Sequence, residues 1–367
     1  MEINRIQVYK VDLPIDDGPY RWSGGNEVHY FDSTIVRVET TDGLCGIGEI
    51  CPLGASYLPS FAEGARVGIE RLAPELIGCD PTLISVLGSH MDNLLKGHPY
   101  VKSALDMAFW DIMGKVAQMP IVALLGGRYG DVVDLYRAIS QGSPDSMAEQ
   151  VRRYRKMGYR RFQIKVGGDP DTDIERINAV ADVLHHGDVL VADANTGWLP
   201  HQAVRVINAV RGLDIYIEQP CETYENCLFI RRNTDFPFVL DESIVDVPSL
   251  VRAISDNAMD VVNLKIGRLG GITKTRQLRD VCVSSGIAVT IEDSWGSDVV
   301  TSAVAHLAHS TPDYARFSAS DFNSYTSLST AVGAPVRIDG TMVAPSGGGL
   351  GIDLIEENLG GACLDIR

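Results

Sequence analysis

The 367-residue chain has no basic surplus, no paired cysteines and no long apolar run. It sets only 32 Lys and Arg against 48 acidic residues, a formal charge of −16. Phosphate recognition draws on clustered Lys and Arg, so this balance argues against a nucleic-acid partner. It argues against docking on anionic lipid for the same reason. The seven cysteines, at positions 45, 51, 79, 221, 227, 282 and 363, are scattered, odd in number and without a CxxC pair. That excludes a disulfide framework and a cysteine zinc site, and it fits reduced thiols in a cytoplasmic protein. Apolar stretches such as Ile121 to Leu125 and Val189 to Ala192 are far too short to span a membrane. The opening MEINRIQVYKVDLP alternates and carries charge, so it lacks the apolar core of a signal peptide. Nucleotide signatures are missing as well. Gly43, Gly46 and Gly48 have the wrong spacing in a β-hairpin region, Gly167-Gly168 is not GxGxxG, and neither a Walker A loop nor a GxSxG elbow occurs.

What is present is globular: 45% hydrophobic and 22% charged residues, with length enough for one large barrel or two domains. Residues 1–60 read as β-rich, with strands over Ile3–Val11, Ser33–Thr40 and Cys45–Ile50 and a turn at Asp42-Gly43. A helical pattern follows to about Ala123. Within it, Ser103–Ala117 places Leu105, Met107, Ala108, Ile112 and Val116 largely on one face, with Ser103 as the N-cap, and LLGG at 124–127 closes the segment.

From Val132 the rhythm becomes strand, helix, strand, helix. Strands are expected at 133–140, 160–166, 188–194, 214–219, 237–242, 260–266, 287–292 and 315–320, with helices between them such as Ser146–Met157 and Lys274–Ser285. Eight strands at βα spacing point to an α/β fold with a parallel barrel. A Gly-rich tail follows, with a strand-like stretch at Val336–Ile338. The expected division is an α+β unit over 1–125, a barrel over 126–322 and a tail over 323–367.

Lys165, Asp193, Glu218, Asp241, Lys265 and Asp293 sit at or near successive strand ends, at gaps of 28, 25, 23, 24 and 28 residues. The C-terminal strand ends of such a barrel form the floor of its active site. One charge at a strand end is ordinarily a solvated loop residue; six in phase deliver their groups to one cup. Three converging carboxylates repel unless a cation neutralises them. Oxygen ligands on rigid strands suit a hard cation, Mg²⁺ before Mn²⁺ or Ca²⁺. Asp193, Glu218 and Asp241 are the expected ligands, with Asn195 supporting Asp193 from the same side of its strand. Lys165 and Lys265 flank the acids. Beside a divalent cation, a lysine pKa falls from its usual value of about 10.4, which suits a general base. From opposite sides of the barrel, one lysine removes a proton α to a carboxylate, giving an enediolate. The other returns the proton on the far face.

SALDMAFWDIMGK and PIVALLGG resemble the capping-domain signature of the mandelate racemase/muconate lactonizing group of the enolase superfamily. QIKVGG, VADAN, IEQP, LDES, LKIGRLGG and IEDSWG resemble its barrel motifs, in order along essentially the whole chain. The resemblance implies a modified (β/α)8 barrel, (β/α)7β, under an α+β capping domain, with a C-terminal segment returning to the cap. It also implies Mg²⁺ on the three acids, acid/base lysines, a small carboxylate substrate and a homo-oligomer, dimeric or octameric. The pattern is similar to the muconate lactonizing subgroup; mandelate racemase has a His–Asp dyad where this chain has Lys265. One departure is Gln163, which stands where the family usually has the first lysine of Lys-x-Lys; Arg161 is too distant to replace it.

Two cap loops set specificity in this group, here Asp16–Gly25 and Cys51–Ser60. Tyr20, Trp22 and Tyr57, joined by Trp295 and Phe322, are expected to wall a pocket for a ring or a cationic nitrogen, with Gln163, Asn195 and Asp293 as further substrate contacts. The loops and GHPYVKSALDMAFWDI resemble the proline-type branch. That implies either epimerisation of hydroxyproline or proline betaines, or dehydration of cis-3-hydroxy-L-proline. Both begin with removal of the α-proton. Two apposed lysines are needed for the first outcome and useful for the second, so the racemase/epimerase reading stands first and the dehydratase second.

Overall fold

A computed structural model describes all residues from Met1 to Arg367. Apolar residues alternate along the strand Ile3–Pro14 in two phases, so that Ile6 and Val8 are buried on one face and Val11 and Leu13 on the other. This strand pairs antiparallel with Tyr30–Thr40, which pairs with Cys45–Ile50, and Leu364–Ile366 adds to the outer edge. The helix Pro99–Ala117 lies against Cys45–Ile50. A Cβ at Gly48 would fall 1.9 Å from the Ala104 carbonyl oxygen, and one at Gly46 2.2 Å from that of Ala108. These glycines therefore serve helix packing.

The expected helix start at Ser103 is a turn too late. The helix opens at Pro99, whose ring presets the first-turn φ, and the Ser103 hydroxyl is buried mid-helix, donating to the Ile266 carbonyl. Nor is the helix apolar on one face alone. Every residue from Tyr100 to Ile112 is buried, because the helix is held between the cap sheet and the short barrel helix Ile266–Leu269.

The barrel strands in order are Tyr136–Ile139, Arg161–Lys165, Val189–Asp193, Tyr216–Glu218, Phe238–Leu240, Val261–Lys265, Ala288–Glu292 and Arg316–Ala319. Each runs parallel to the next, and a parallel bridge from Leu135 to Ala319 joins the last to the first. All eight fall within the expected stretches. Helices cover the outside, among them Pro144–Lys156, capped by the Ser143 hydroxyl, and Ile272–Ser285. Val133–Asp134 leaves the barrel to pair with Thr341–Met342. The strand expected at Val336–Ile338 does not form. Both residues are largely exposed with no core to bury them, and only Ile338 makes a bridge, to Thr341.

Buried polar clamps lock cap to barrel. The Glu49 carboxylate, at the end of the cap sheet, accepts from the Ser297 and Val300 amides at the start of helix Asp298–His309 and from the Ser33 and Ser297 hydroxyls. An acid at a helix N-terminus satisfies unpaired amides and meets the positive end of the dipole. Asp106 accepts from the Thr273 amide and hydroxyl at 3.0 and 2.6 Å. On helix Asp298–His309, His306 Nδ1 accepts from the Val122 amide, so its proton sits on Nε2 and is donated to the Leu350 carbonyl, 3.1 Å away.

Burial pushes His306 from its usual 6.5 down to about 4, so it folds neutral. Its contribution to stability is complete above about pH 6.5 and is lost as pH falls toward 4, where the unfolded chain takes up a proton that the folded state refuses. His306→Gln is expected to be less stable than wild type at neutral pH, with the gap narrowing by about 3 kcal/mol toward pH 4. Urea midpoints of both proteins across that range check it.

Candidate active site

The strand ends place their charges in one enclosed mouth. Lys165 closes the second barrel strand and donates to Asp193 Oδ2 at 2.5 Å, at the end of the third. Asp193 Oδ1 accepts from the Asn195 amide at 2.8 Å, and the Asn195 side chain donates to Glu242. Glu218, on the fourth strand, accepts both from Gln163 at 3.0 Å and from Asn263 at 2.7 Å. Asp241, just past the fifth, accepts from Lys265 at 2.6 Å, Arg268 at 2.5 Å and the Tyr57 hydroxyl at 3.0 Å. Lys265 also donates to the Tyr57 oxygen. Lys165 and Lys265 stand on the second and sixth of eight strands, directly across the barrel.

The electrostatics follow from these contacts. Burial raises the Glu218 carboxyl, and the neighbouring Asp193 and Asp241 charges push it well above the ordinary range. Burial works on Asp241 in the same direction, but Lys265 and Arg268 outweigh it and hold that carboxyl low. Burial lowers both lysines, yet Asp193 beside Lys165, and Asp241 with Glu292 beside Lys265, keep both ammonium groups firmly charged. The fall expected of the lysines therefore does not arise from the protein groups alone.

No three metal-ligating side chains converge on a single point, because each acid oxygen is turned to an internal donor. The donor set nevertheless suits a hard divalent cation. Asp193, Glu218 and Asp241 are buried oxygen donors on consecutive strands, and Glu218 is bonded only by neutral amides. Four buried carboxyl groups (Asp193, Glu218, Asp241 and Glu292) face three buried cations (Lys165, Lys265 and Arg268), so the mouth becomes net negative when Glu218 is ionised, as a bound cation would favour.

Ten of the thirteen expected site residues line one cavity over this mouth: Tyr20, Trp22, Tyr57, Gln163, Lys165, Asn195, Lys265, Asp293, Trp295 and Phe322. The other three, Asp193, Glu218 and Asp241, are the ion-pair and hydrogen-bond partners of Lys165, Gln163 and Lys265. Side chains nearly fill the cavity, leaving about 20 Å³ of open space. Trp295 stacks on Phe31 at 3.9 Å and meets Tyr20 at 4.7 Å and Phe322 at 5.5 Å. Arg161 turns away to Asp134, and Gln163 is engaged with Glu218.

Asp293 lines the cavity, but it is Glu292 that ends the seventh strand in register with Lys265, a further charge of the cup that sequence reading missed. Glu292 Oε1 lies 3.6 Å from Lys265 Nζ, whereas the Asp293 carboxylate accepts from the Gly267 and Ser294 amides at 2.8 and 2.7 Å. Sequence reading also missed Arg268 and Tyr136. Arg268 lies one turn past Lys265 in LKIGRLGG, which is a usable signal. Nothing local marks Tyr136, whose hydroxyl donates to Glu292.

A capped parallel barrel with its charges gathered at the C-terminal strand ends is built as a barrel enzyme. Residues 146–358 match the family model described as enolase C-terminal domain-like. Residues 6–126 match the mandelate racemase/muconate lactonizing enzyme N-terminal domain. The chain belongs to the mandelate racemase/muconate lactonizing group of the enolase superfamily and is an enzyme of isomerase or lyase type. It is 53% identical to a cis-3-hydroxy-L-proline dehydratase of Roseibium aggregatum over 98% of both chains. It is 32% identical to an N-succinyl-L-Arg/Lys racemase of Bacillus cereus over 84% of this chain and 85% of the relative. A crystal structure of an enolase-superfamily member from Roseovarius nubinhibens ISM, complexed with magnesium, superposes with a TM-score of 0.94. That protein is 38% identical, and the match covers 100% of this chain and 99% of the other.

Buried Asp173 holds the loop after Lys165. It accepts from the Gly167 and Gly168 amides, the Trp198 indole and Arg176. Asp173→Ala strands these donors and is expected to cost roughly 3–5 kcal/mol in urea unfolding. A loss under about 1 kcal/mol would contradict this role.

Proposed function

We propose that the chain is a divalent-cation-dependent dehydratase of cis-3-hydroxy-L-proline, acting through removal of the α-proton. The observation that carries this reading is the 53% identity along 98% of both chains to the Roseibium dehydratase. Asp193, Glu218 and Asp241 would hold Mg²⁺, with Mn²⁺ as the alternative. The cation supplies Lewis-acid stabilisation to a substrate carboxylate as its α-carbon becomes carbanionic. With the acids engaged by a cation, Lys165 and Lys265 would remain beside it as the acid/base groups.

The stereochemistry of the substrate suits lysines placed across the barrel. In cis-3-hydroxy-L-proline the hydroxyl shares a ring face with the carboxylate, so it lies opposite the α-proton. One lysine takes the proton from one face as the Cα–Cβ double bond forms. The Cβ–O bond breaks on the other face, where the opposite lysine can protonate the departing hydroxyl to give water. The enamine product then tautomerises to the cyclic imine.

An epimerase uses the same two groups with the second proton delivered to Cα. The opposed lysines and the 32% identical racemase favour this second reading. A role in amino-acid catabolism in the cytoplasm fits the seven free thiols. A homo-oligomer, dimeric or octameric, completes the proposal, and no helix is long and apolar enough to cross a membrane.

Incubation with cis-3-hydroxy-L-proline and Mg²⁺ in D₂O, followed by proton NMR and mass analysis, is expected to show loss of water. An intact molecule with inverted, deuterated Cα selects the epimerase; an unaltered substrate overturns the dehydratase, and absence of α-deuteration of proline and hydroxyproline betaines as well overturns the epimerase. Chelation is expected to abolish turnover and added Mg²⁺ to restore it; turnover that survives chelation would sink the cation site.

A further inference from the structure

Four buried polar atoms on residues that line the cavity have no hydrogen-bond partner in the protein: Asn195 Oδ1, after the third strand, and Glu292 Oε1, Trp295 Nε1 and Ser320 Oγ, from the seventh and eighth strand ends. Glu292, Trp295 and Ser320 are 2%, 3% and 1% exposed and line the same cavity as Lys165 and Lys265. A buried polar atom left unpaired costs about 1–3 kcal/mol, so three around one cavity are not accidental packing. The neighbouring groups relieve them only in part. The other Glu292 oxygen accepts from Tyr136, Lys265 Nζ pairs with Oε1 electrostatically at 3.6 Å without a hydrogen bond, and the Trp295 ring is fixed by its stack on Phe31.

Their chemistry specifies a ligand group. A carboxylate oxygen is an acceptor, an indole N–H is a donor only, and a serine hydroxyl can serve as the second donor. A hydroxyl group has the complementary set, one donor and two acceptor sites. Position agrees. The three groups come from the end of the seventh strand, the loop after it and the residue following the eighth strand, while the acids that would hold the cation lie on the third strand, the fourth and just past the fifth. A ligand with its carboxylate on the cation side of the mouth and its α-carbon between Lys165 and Lys265 would extend its remaining atoms toward this wall.

We propose that Glu292, Trp295 and Ser320 form the subsite for the substrate's β-hydroxyl: Glu292 accepts its proton, and Trp295 and Ser320 donate to its oxygen. The assignment rests on the proposed action on a 3-hydroxylated cyclic amino acid, and it identifies what separates that substrate from unhydroxylated proline. The wall adjoins Lys265, so the hydroxyl departs on the Lys265 side and the α-proton faces Lys165.

Trp295→Phe keeps the stacked ring and removes only the N–H; Ser320→Ala removes only the hydroxyl. With the full-length Mg²⁺-loaded enzyme, each is expected to lower kcat/KM for cis-3-hydroxy-L-proline roughly tenfold. The competitive inhibition constant of L-proline, which lacks the hydroxyl, should stay within about twofold. An equal loss for both compounds would show a merely structural role and overturn the subsite, as would no change for either. In the wild type, inhibition by L-proline with no reaction of the hydroxylated compound would reject the proposed dehydration. Equal affinity for L-proline and a reacting hydroxylated substrate would reject the subsite alone, whatever the variants do.

Discussion

Carboxylates at adjacent strand ends, sealed from water, cannot remain side by side without positive charge among them. That constraint organises the molecule. Asp193 takes Lys165, Asp241 takes Lys265 and Arg268, and Glu218, between them, is left to the amides of Gln163 and Asn263. The arrangement requires strands in consecutive parallel order, so that single residues spaced one βα unit apart meet at one end of a closed sheet. It leaves one more carboxyl group than cations at the mouth, an oxygen donor set of the kind a divalent cation takes, and places two ammonium groups on opposing sides of the barrel.

The barrel does not close its own site. Tyr20, Trp22 and Tyr57 come from the cap, and the Tyr57 hydroxyl reaches both Lys265 and Asp241. Cap and barrel therefore have to be held in fixed relation, which is the work of the Glu49, Asp106 and His306 contacts. The 20s loop is fixed at its own base. Asp17 accepts from Tyr154 and Arg153, the Arg21 amide bonds Ser140, and the Ser23 hydroxyl bonds the Asn195 carbonyl. About 20 Å³ is left open between these loop residues and the barrel mouth.

Much of this was legible in the sequence because it depends on spacing. Regular βα periods reveal the barrel strands, and residues that recur at those periods reveal the charges. The failures are failures of local direction. Glu292 and Asp293 are adjacent and both line the cavity, and only the strand register shows that Glu292 is the one paired with Lys265. The helix start at Pro99 and the burial of the whole helix Tyr100–Ile112 depend on a barrel helix far away in sequence. Tyr136 carries no motif, and its part in the site exists only because the first and seventh strands both reach the mouth. Gln163 departs from the family pattern, and the structure gives it a different task, bonding both oxygens of Glu218.

The central claim is that Lys165 and Lys265 are the acid/base pair, working from opposite faces of one α-carbon. It is tested most directly by the exchange of the substrate α-proton with D₂O, followed by proton NMR in Lys165→Ala and Lys265→Ala with Mg²⁺ present. The account predicts that Lys165→Ala slows removal of the α-proton at least about 100-fold, and that Lys265→Ala blocks completion of the reaction on the other face. Exchange and turnover at the wild-type rate in both variants would contradict it.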